Sequence, residues 1–345
     1  EIEAGTMPPA PYTGLHWSAK WNADDAALQG AWMRHTRARI DGAENLDDPI
    51  YDRPIYPIKL VVGLDADKVA LGKVLYHDVR LSTDDSISCA SCHDLTKGGT
   101  DLAQYSTGVQ EQLGGINSPT TFNSSYFLAQ FWDGRAADLA DQAAGPPNNP
   151  IEMASNWEEI LGKLNEDEEM VAAFEATYGE ITSDGITDAV AQFEMTLNTP
   201  DSAFDLYLGG DESALTEEQL AGYHRFDSHG CDTCHVGAAM GGTSFEVMGV
   251  HADYMADRGN PTDADLGRFG VTKDEADRHR FKVPTMRNVT LTPPYYHDGT
   301  VETLDEAVRK MGTYERGASL TDQEVSQIVA FLGAQTGKYE GEMLR

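Results

Sequence analysis

The sequence contains two short stretches with the same pattern of nucleophilic and metal-binding residues. They are "CASCH" at 89–93 and "CDTCH" at 231–235, and together they use all four cysteines of the chain. In each stretch two residues separate the cysteines, and a histidine follows the second one. A thiol pair at this spacing with an adjacent imidazole could hold zinc, act as a redox dithiol or carry a covalently attached haem.

These three kinds of site make different demands on the sequence. A zinc site commonly draws four ligands from Cys-x-x-Cys pairs that lie close in space, whereas these pairs are far apart in the chain and each ends in histidine. A redox dithiol does not require the trailing histidine. In c-type haem attachment both thiols add to vinyl groups and the next residue ligates the iron, which accounts for all three fixed positions.

The pattern therefore predicts two covalently bound haem c groups. Because bacteria attach haem covalently outside the cytoplasm, it also predicts an exported, periplasmic protein. The expected attachment residues and proximal ligands are Cys89, Cys92 and His93 for the first haem and Cys231, Cys234 and His235 for the second.

Two haems allow two classes of function, which the remaining axial ligands distinguish. A haem ligated by His and Met is coordinatively full and has a raised potential, which suits an electron carrier. A haem with one open face can bind and activate an oxidant, which indicates an enzyme.

The elements around the two stretches repeat. Before each lies a short amphipathic helical pattern, "DADKVALGKVLYHDVR" and "LTEEQLAGYHRFDSHG", and after each comes Gly-Gly-Thr. Each half closes with a further helical pattern, and the second of these opens with a Thr321–Glu324 capping box. The apolar positions expected on one helical face are Ile186, Val190, Phe193 and Leu197 in the first half and Val325, Ile328, Val329 and Leu332 in the second.

The expected fold is therefore mainly α, with two cytochrome c-like haem domains in tandem joined by long loops. We predict an N-terminal extension at 1–66, a first haem domain at 67–200 and a second at 201–345, whose C-terminal segment packs back on the first. Strand signals are sparse. Pro146, Pro147 and Pro150 are expected in a loop inside the first domain.

Composition narrows the range of partners. The 345 residues carry 25 basic against 57 acidic side chains, a net charge of -32. Such a surface repels nucleic acid and anionic membranes, and it suits either a basic protein partner or a salty habitat. No apolar run approaches the ~18 residues of a membrane span. The first residue, Glu1, is compatible with a removed signal peptide or with an arbitrary boundary.

Three longer stretches resemble the bacterial di-haem cytochrome c peroxidases and their protein-oxidising relatives, such as the enzyme that matures methylamine dehydrogenase. They are "NSPTTFN" from 117, "QFWDGRAADLADQAAGPPNNPIEM" from 130 and "KVPTMRNVTLTPPYYHDGTVETLDEAVRKMG" from 282. The resemblance runs in family order from about Leu71 to Gly337. Residues 1–66, with Trp17, Trp21 and Trp32, fall largely outside it.

The resemblance implies specific roles. His93 would be the proximal ligand of the peroxidatic haem and Met311 the sixth ligand of the second, electron-transfer haem. The other implied roles are a distal acid–base carboxylate for Glu152, a distal amide for Gln142, an inter-haem electron route for Trp132, and calcium ligation for Asn117, Thr292 and Pro294, the last two through their carbonyls.

Each of these residues also has an ordinary structural explanation. A glutamate after a proline turn is usually solvated, a lone tryptophan is usually core, and Asn117 before Ser-Pro is a common turn residue. Met311 sits on an amphipathic stretch, and Met240 and Met248 are nearer His235 in the chain. The residues alone do not decide between these alternatives.

The sequence departs from the family pattern at one loop. Many of these peroxidases place a histidine after the loop glycine, where it blocks the oxidised peroxidatic iron. Here Val109 follows Gly108, and no histidine lies between His93 and His224. We expect the first haem to be open when oxidised, unless His77 or another distant residue reaches it.

The expected function is reduction of hydrogen peroxide to water with electrons from a small monohaem cytochrome c or blue copper protein. The alternatives are oxidation of Trp or Tyr in a partner protein and plain electron transfer. In the methylamine dehydrogenase-maturing enzyme tyrosine ligates the second haem, so Tyr314, three residues after Met311, is the rival ligand here. The family commonly forms homodimers, but no dimer face can be identified in the sequence.

Overall fold

The described part of the chain, residues 53–345 of a computed structural model, is mainly helical with little sheet, as predicted. Pro57–Arg345 forms one compact unit.

Strands β1 (Phe245–Val247) and β2 (Arg280–Lys282) form an antiparallel pair, as do β3 (Lys338–Tyr339) and β4 (Glu342–Met343). The α-helices are α1 (Ala66–Tyr76), α2 (Cys89–Cys92), α3 (Leu139–Ala143), α4 (Gly145–Asn148), α5 (Trp157–Asn165), α6 (Glu168–Thr177), α7 (Ser183–Glu194), α8 (Ala203–Leu208), α9 (Glu217–Ser228), α10 (Tyr254–Arg258), α11 (Phe269–Thr272), α12 (Leu304–Arg316) and α13 (Asp322–Gly333).

The N-terminal prediction lies almost entirely beyond this description. Of the expected extension at 1–66, residues 1–52 are outside the described residues, and so are Trp17, Trp21 and Trp32. Within 53–345 no helix combines the length and the apolar character that crossing a bilayer requires.

Two crossed helix pairs organise the described chain. Helix α1 packs against α7, and α9 packs against α13. At the first crossing a Cβ on Gly72 would lie 1.8 Å from the carbonyl oxygen of Ala189, and at the second a Cβ on Gly222 would lie 1.9 Å from that of Gln327. Only glycine permits such a close approach, so the two halves use the same packing device.

The predicted apolar faces are largely confirmed. Ile186, Val190, Phe193 and Leu197 are all buried, although Leu197 lies beyond the end of α7 at Glu194. The Thr321–Glu324 capping box opens α13, where Val325, Ile328 and Leu332 are buried.

Val329 is only half-buried, so the prediction of its burial was wrong, and Phe331 takes the core position instead. The Phe331 ring contacts the rings of Phe204, Tyr223 and Phe226 at 4.9–5.4 Å. Those partners come from α8 and α9, which a single-helix pattern does not include.

The proline-rich stretch is not entirely loop. Pro146 and Pro147 lie within the single-turn helix α4, while Pro150 lies outside it. Proline suits the first turn of a helix because the N–H it lacks has no intrahelical acceptor there. The prediction of a loop across all three prolines was wrong for this reason.

Two equivalent turns join the halves through one threonine. Asn123 and Asn288 each adopt a left-handed conformation, with φ of 63° and 60°. Their side-chain amides both donate to Thr199 Oγ1, at 2.8 and 3.0 Å. Thr199 therefore ties together the segments that begin at Pro119 and Pro284.

Backbone hydrogen bonds also cross between the halves in a reciprocal way. The N–H of Asn117 donates to the carbonyl of His297, and the N–H of Lys282 donates to the carbonyl of Trp132, both at 2.8 Å. Asn117 and Lys282 each lie two residues before a proline, and Trp132 and His297 each precede Asp-Gly. The two positions are thus counterparts in an internal repeat.

The C-terminal segment runs back to the first half. The N–H of Lys338 donates to the carbonyl of Pro200 at 2.8 Å. The ring of Tyr339 packs edge-on against Phe122, with centroids 5.3 Å apart. These contacts place β3 beside the core of the first half.

Candidate functional site

The first Cys-x-x-Cys-His stretch forms one tight turn. Cys89 to Cys92 make up α2, and the N–H of His93 donates to the carbonyl of Cys89 at 2.9 Å. Nδ1 of His93 lies 3.4 Å from the carbonyl oxygen of Gly99. Because Nδ1 is directed at a backbone acceptor, Nε2 is the nitrogen left for a metal ion.

The second stretch has the same arrangement. The N–H of His235 donates to the carbonyl of Cys231 at 3.1 Å, and Nδ1 of His235 lies 3.3 Å from the carbonyl oxygen of Met240. Burial lowers the pKa of both His93 and His235, which favours the neutral imidazole that a metal ion binds.

The thiol environments disfavour two of the three alternatives. Burial raises the pKa of Cys89 to about 12 and that of Cys92 to about 11, the opposite of a reactive redox dithiol. Within residues 53–345, no three His, Cys, Asp or Glu side chains converge as a metal site, so the two pairs do not share a zinc ion. The local geometry fits haem attachment.

A large apolar cavity adjoins the second stretch, with about 1270 Å³ of empty space, part of it open to solvent. Cys231 and His235 line it. Its mostly hydrophobic wall suits a large apolar cofactor. Apolar residues of the wall include Phe226, Val308, Met311, Ile328 and Leu332.

The structure separates the proposed sixth ligand from its rivals. Met311 on α12 lines this cavity together with His235 and Met286, a methionine that sequence reasoning did not consider. Tyr314 instead donates to Asp257 Oδ2 at 3.2 Å and packs perpendicular to the Tyr254 ring.

The two methionines nearer His235 in the chain are not among the residues that line this cavity. Met240 is fully buried, and its carbonyl faces Nδ1 of His235 rather than Nε2. Met248 packs against the cluster of Tyr254 and Phe281.

Glu152 lies beside the first stretch, half-buried. Its Oε1 accepts a hydrogen bond from Asn149 Nδ2 at 2.6 Å, and its charge acts on Cys92. Burial raises the pKa of Glu152 above that of an ordinary carboxyl, while Arg135 and the Asn149 hydrogen bond oppose the shift. The carboxyl is thus disposed to exchange a proton nearer neutral pH than an exposed one.

Val109 is held against the same segment. It is completely buried, and its N–H donates to the carbonyl of Glu152 at 2.8 Å. A Cβ on Gly108 would lie 2.1 Å from the carbonyl oxygen of Ile151, so the loop packs closely here. His77, the proposed rival iron ligand, is exposed, and its Nδ1 contacts the carbonyl of Lys73.

Gln142 lies on α3 and is half-buried. Its N–H donates to the carbonyl of Asp138 at 3.0 Å. Among the described residues no hydrogen bond joins its amide to Glu152, so the structure brings Glu152 together with Asn149 rather than with Gln142.

Arg135 is a site residue that sequence reasoning missed. Its guanidinium lies 3.5 Å from the centroid of the Phe131 ring and donates to Asp133 at 3.1 Å. It is also the cation that acts on Glu152. The sequence signal that could have identified Arg135 is a basic residue at the end of "FWDGR" in a strongly acidic chain.

Trp132 lies where the two halves meet. Its Nε1 donates to the carbonyl of Asn117 at 2.8 Å, and its ring packs edge-on against Phe281 and His297. It lines the cavity that also contains Met311. This position is compatible with both packing and electron transfer.

The three predicted calcium ligands line the same cavity. Nδ2 of Asn117 donates to the carbonyls of Ala103 and Gln104, at 2.9 and 3.3 Å, which turns Oδ1 away from them. An amide oxygen with the carbonyls of Thr292 and Pro294 forms a set of hard oxygen donors of the kind that calcium prefers. The donor set therefore fits the ion.

Glu194 is a second residue missed by sequence reasoning. It is 5% exposed at the end of α7, and burial raises its pKa to about 8. It acts on Cys89 and on Tyr76, whose hydroxyl donates to the carbonyl of His93. A buried acid thus lies beside the first stretch.

Comparisons with known proteins agree on one family. A family model described as di-haem cytochrome c peroxidase matches residues 66–213. Cytochrome c peroxidase Ccp of Escherichia coli (strain K12) is 49% identical over 336 residues, covering 97% of this chain and 72% of that protein. Cytochrome c551 peroxidase of Nitrosomonas europaea is 49% identical over 291 residues, covering 83% and 85%. The solved structure of a MauG-like protein associated with microbial copper homeostasis matches with a TM-score of 0.71 at 27% identity, covering 86% of this chain and 96% of that one.

Proposed function

Because this chain belongs to the di-haem cytochrome c peroxidase family, we propose that it reduces hydrogen peroxide to water with electrons from a small redox protein. The observation that carries the proposal is the position of Glu152. A half-buried carboxyl with a raised pKa lies close enough to Cys92, in the first Cys-x-x-Cys-His turn, for its charge to act on that thiol.

The cofactors of this proposal are two covalently attached haem c groups. Cys89, Cys92 and His93 would hold the first, and Cys231, Cys234, His235 and Met311 would hold the second. When bound, the haems supply the two electrons that cleavage of the O–O bond consumes. The balanced reaction takes one hydrogen peroxide, two electrons and two protons to two water molecules.

Glu152 acts as the proton carrier of the reaction. Its carboxylate would accept a proton from one peroxide oxygen and return it to the leaving oxygen as the O–O bond breaks. Asn149 fixes Oε1, so Oε2 is free to make this exchange. Arg135 favours the ionised carboxylate that must accept the first proton, and Gln142 is proposed as a further polar contact for the leaving oxygen.

The first haem is proposed to be open without prior reduction. Valine has no atom that ligates iron, and Val109 is held in the loop where many relatives carry the blocking histidine. The exposed position of His77 supports the same proposal. Trp132 is the proposed contact between the two haem sites, and Asn117, Thr292 and Pro294 would hold a calcium ion near the junction of the two halves.

The remaining features of the proposal concern the assembly. We assign the two haems to cytochrome c-like domains at 67–200 and 201–345, after an N-terminal extension at 1–66. The donor is a monohaem cytochrome c or a blue copper protein, the location is the periplasm, and the homodimer common in this family is one candidate assembly. The Tyr314 hydrogen bond to Asp257 favours this peroxidase over a partner-oxidising enzyme with a tyrosine-ligated haem.

Substitution of the proposed proton carrier tests the function. Glu152→Gln keeps the size of the side chain but cannot accept the proton, so we expect peroxide turnover to fall by about 10²–10⁴-fold. The measurement is steady-state oxidation of a reduced donor, with haem content determined on the same sample. Glu158→Gln, which changes an exposed glutamate in α5, is the matched control and should retain full activity.

The same experiment separates the enzyme from a plain electron carrier. A carrier would show no peroxide turnover in the native protein and no effect of either substitution. Full activity of Glu152→Gln with both haems present would exclude Glu152 as the proton carrier.

A further inference from the structure

Lys282 is a buried cation in the wall of the large cavity. It lies in β2 and is 6% exposed. Nζ donates to the carbonyl of Ala129 at 2.9 Å and lies 4.4 Å from the centroid of the Phe127 ring. An ammonium has three N–H donors. The carbonyl of Ala129 accepts a hydrogen bond from one of them, and the Phe127 ring interacts with the positive charge.

The described residues provide no carboxylate partner for this ammonium. No Asp or Glu oxygen among them lies within the 4.0 Å of an ion pair with Nζ, and Asp133 acts on it only at longer range. Burial lowers the pKa of Lys282 to about 7 in these surroundings. A buried charge with neutral partners is costly, so the free space beside it should contain an anion.

Lys282 has a counterpart in the other half of the internal repeat. Lys282 and Asn117 are counterparts, and the backbone N–H of each donates to the carbonyl of the residue before Asp-Gly in the other half. Both line the one cavity. In the first half the cationic charge at this position would come from calcium, whereas in the second half the chain provides its own ammonium.

The chemistry of haem c identifies the anion. Two thioether bonds hold one edge of the porphyrin, and its two propionates leave from the opposite edge. Arg316, the other cation in the cavity wall, lies against Gly230 and acts on Cys231, so it belongs to the thioether edge. Lys282 instead contacts Ala129, Phe127 and Trp132, and none of its contacts among the described residues is with the segment around Cys231.

We propose that Lys282 pairs with a propionate of the haem held by Cys231, Cys234 and His235, and that its charge raises the reduction potential of that haem. The inference rests on the proposed function, because it requires a haem at the second site. A fixed cation stabilises the ferrous form, which carries one positive charge fewer than the ferric form. Lys282 is thus a positioning residue that favours electron storage at the second haem.

The test is a spectroelectrochemical titration of the holoprotein, with the two haems followed separately. Lys282→Met removes the charge at similar volume, and we expect the ferrous-to-ferric ratio of the second haem at fixed potential to fall about tenfold, which is 59 mV for one electron. Lys282→Arg should stay close to the native protein. Lys273→Met, at an exposed position, is the control and should leave both potentials unchanged.

Two outcomes would overturn the proposal. One is an unchanged second-haem potential in Lys282→Met with both haems present, and another is a larger shift at the first haem than at the second. If Lys282→Met does not fold, Lys282→Gln provides the same comparison. A native protein with fewer than two haems per chain would instead overturn the proposed function itself, which the haem content shows before any titration.

Discussion

The two halves of the molecule have the same local backbone arrangement around their Cys-x-x-Cys-His turns. They differ in the side chains that lie beside these turns. Both cross a helix pair at a glycine, Gly72 or Gly222, and both direct the histidine Nδ1 at a backbone carbonyl. Beside the first turn lie Glu152 and Glu194, while beside the second lies Met311. The same scaffold is therefore compatible with two opposite chemical environments.

The counterparts Glu194 and Leu332 show that a single side chain accounts for part of the difference between the two halves. Phe193 and Phe331 occupy the same place against Gly72 and Gly222, so the next residues, Glu194 and Leu332, are equivalent. Leu332 lines the cavity of the second half, whereas Glu194 puts a carboxyl at that position in the first. A single side chain at a fixed backbone position thus changes the local electrostatics.

In the comparison of the two halves, the first test gives the first half an extra ligand. Val109→His introduces an imidazole into the loop beside Glu152, and we expect it to block the first iron in the oxidised protein. The reaction of oxidised protein with hydrogen peroxide should slow about 100-fold, equivalent to a blocking interaction of ~2.7 kcal/mol. Stopped-flow absorbance measures the rate.

Val109→Leu is the control for size, because leucine adds volume without adding a ligand. It should react at close to the native rate. If Val109→His reacts as fast as Val109→Leu, the loop does not reach the iron, and Val109 is not the reason for an open site.

The next effect tests whether the two helix crossings are equivalent. Gly72→Ala and Gly222→Ala each place a Cβ within 2 Å of a backbone carbonyl oxygen, and each should destabilise the protein by about 2–3 kcal/mol through overpacking. Denaturant unfolding of the haem-loaded protein measures the loss.

Gly162→Ala provides the matched control in α5, where a new Cβ meets no atom within 4 Å. It should be neutral or stabilising by about 0.5–1 kcal/mol, because alanine is the better helix former. Tolerance of alanine at one crossing but not at the other would show that the halves pack differently.

The smallest effect concerns the buried acid of the first half. Burial raises the pKa of Glu194 to about 8, so the folded state holds a proton that the unfolded state releases above its ordinary pKa of 4.5. Stability is full below that ordinary pKa, falls as pH rises toward 8 and then levels off. Glu194→Gln, which does not titrate, should gain about 1.4 kcal/mol per pH unit relative to the native protein between pH 6 and 7.

Unfolding free energies at several pH values measure this difference. Glu158→Gln, at an exposed site, should show no such trend. Parallel stability curves for the native protein and Glu194→Gln would mean that Glu194 is not buried as a neutral acid.

Sequence patterns predicted the features that depend on local periodicity and spacing. The two Cys-x-x-Cys-His turns, the individual helices around them and the Thr321–Glu324 capping box all depend on residues within a few positions of one another. Phe331 was missed because its burial depends on rings from other helices.

The buried charges were missed for a related reason. Arg135, Glu194 and Lys282 are ordinary charged residues in the sequence, and only the packing of distant segments removes two of them from water. The peroxidase family could be predicted because the surrounding motifs are long and specific, whereas the acid–base role of Glu152 stays a prediction. The roles of Gln142, Trp132 and the calcium ligands stay predictions.

The open first haem is the central claim, and mixing the fully oxidised protein with one equivalent of hydrogen peroxide tests it most directly. The Soret band should change within milliseconds to seconds, because Val109 offers no ligand to the first iron. No change until the second haem has been reduced would contradict the account, since another residue would then be blocking the site.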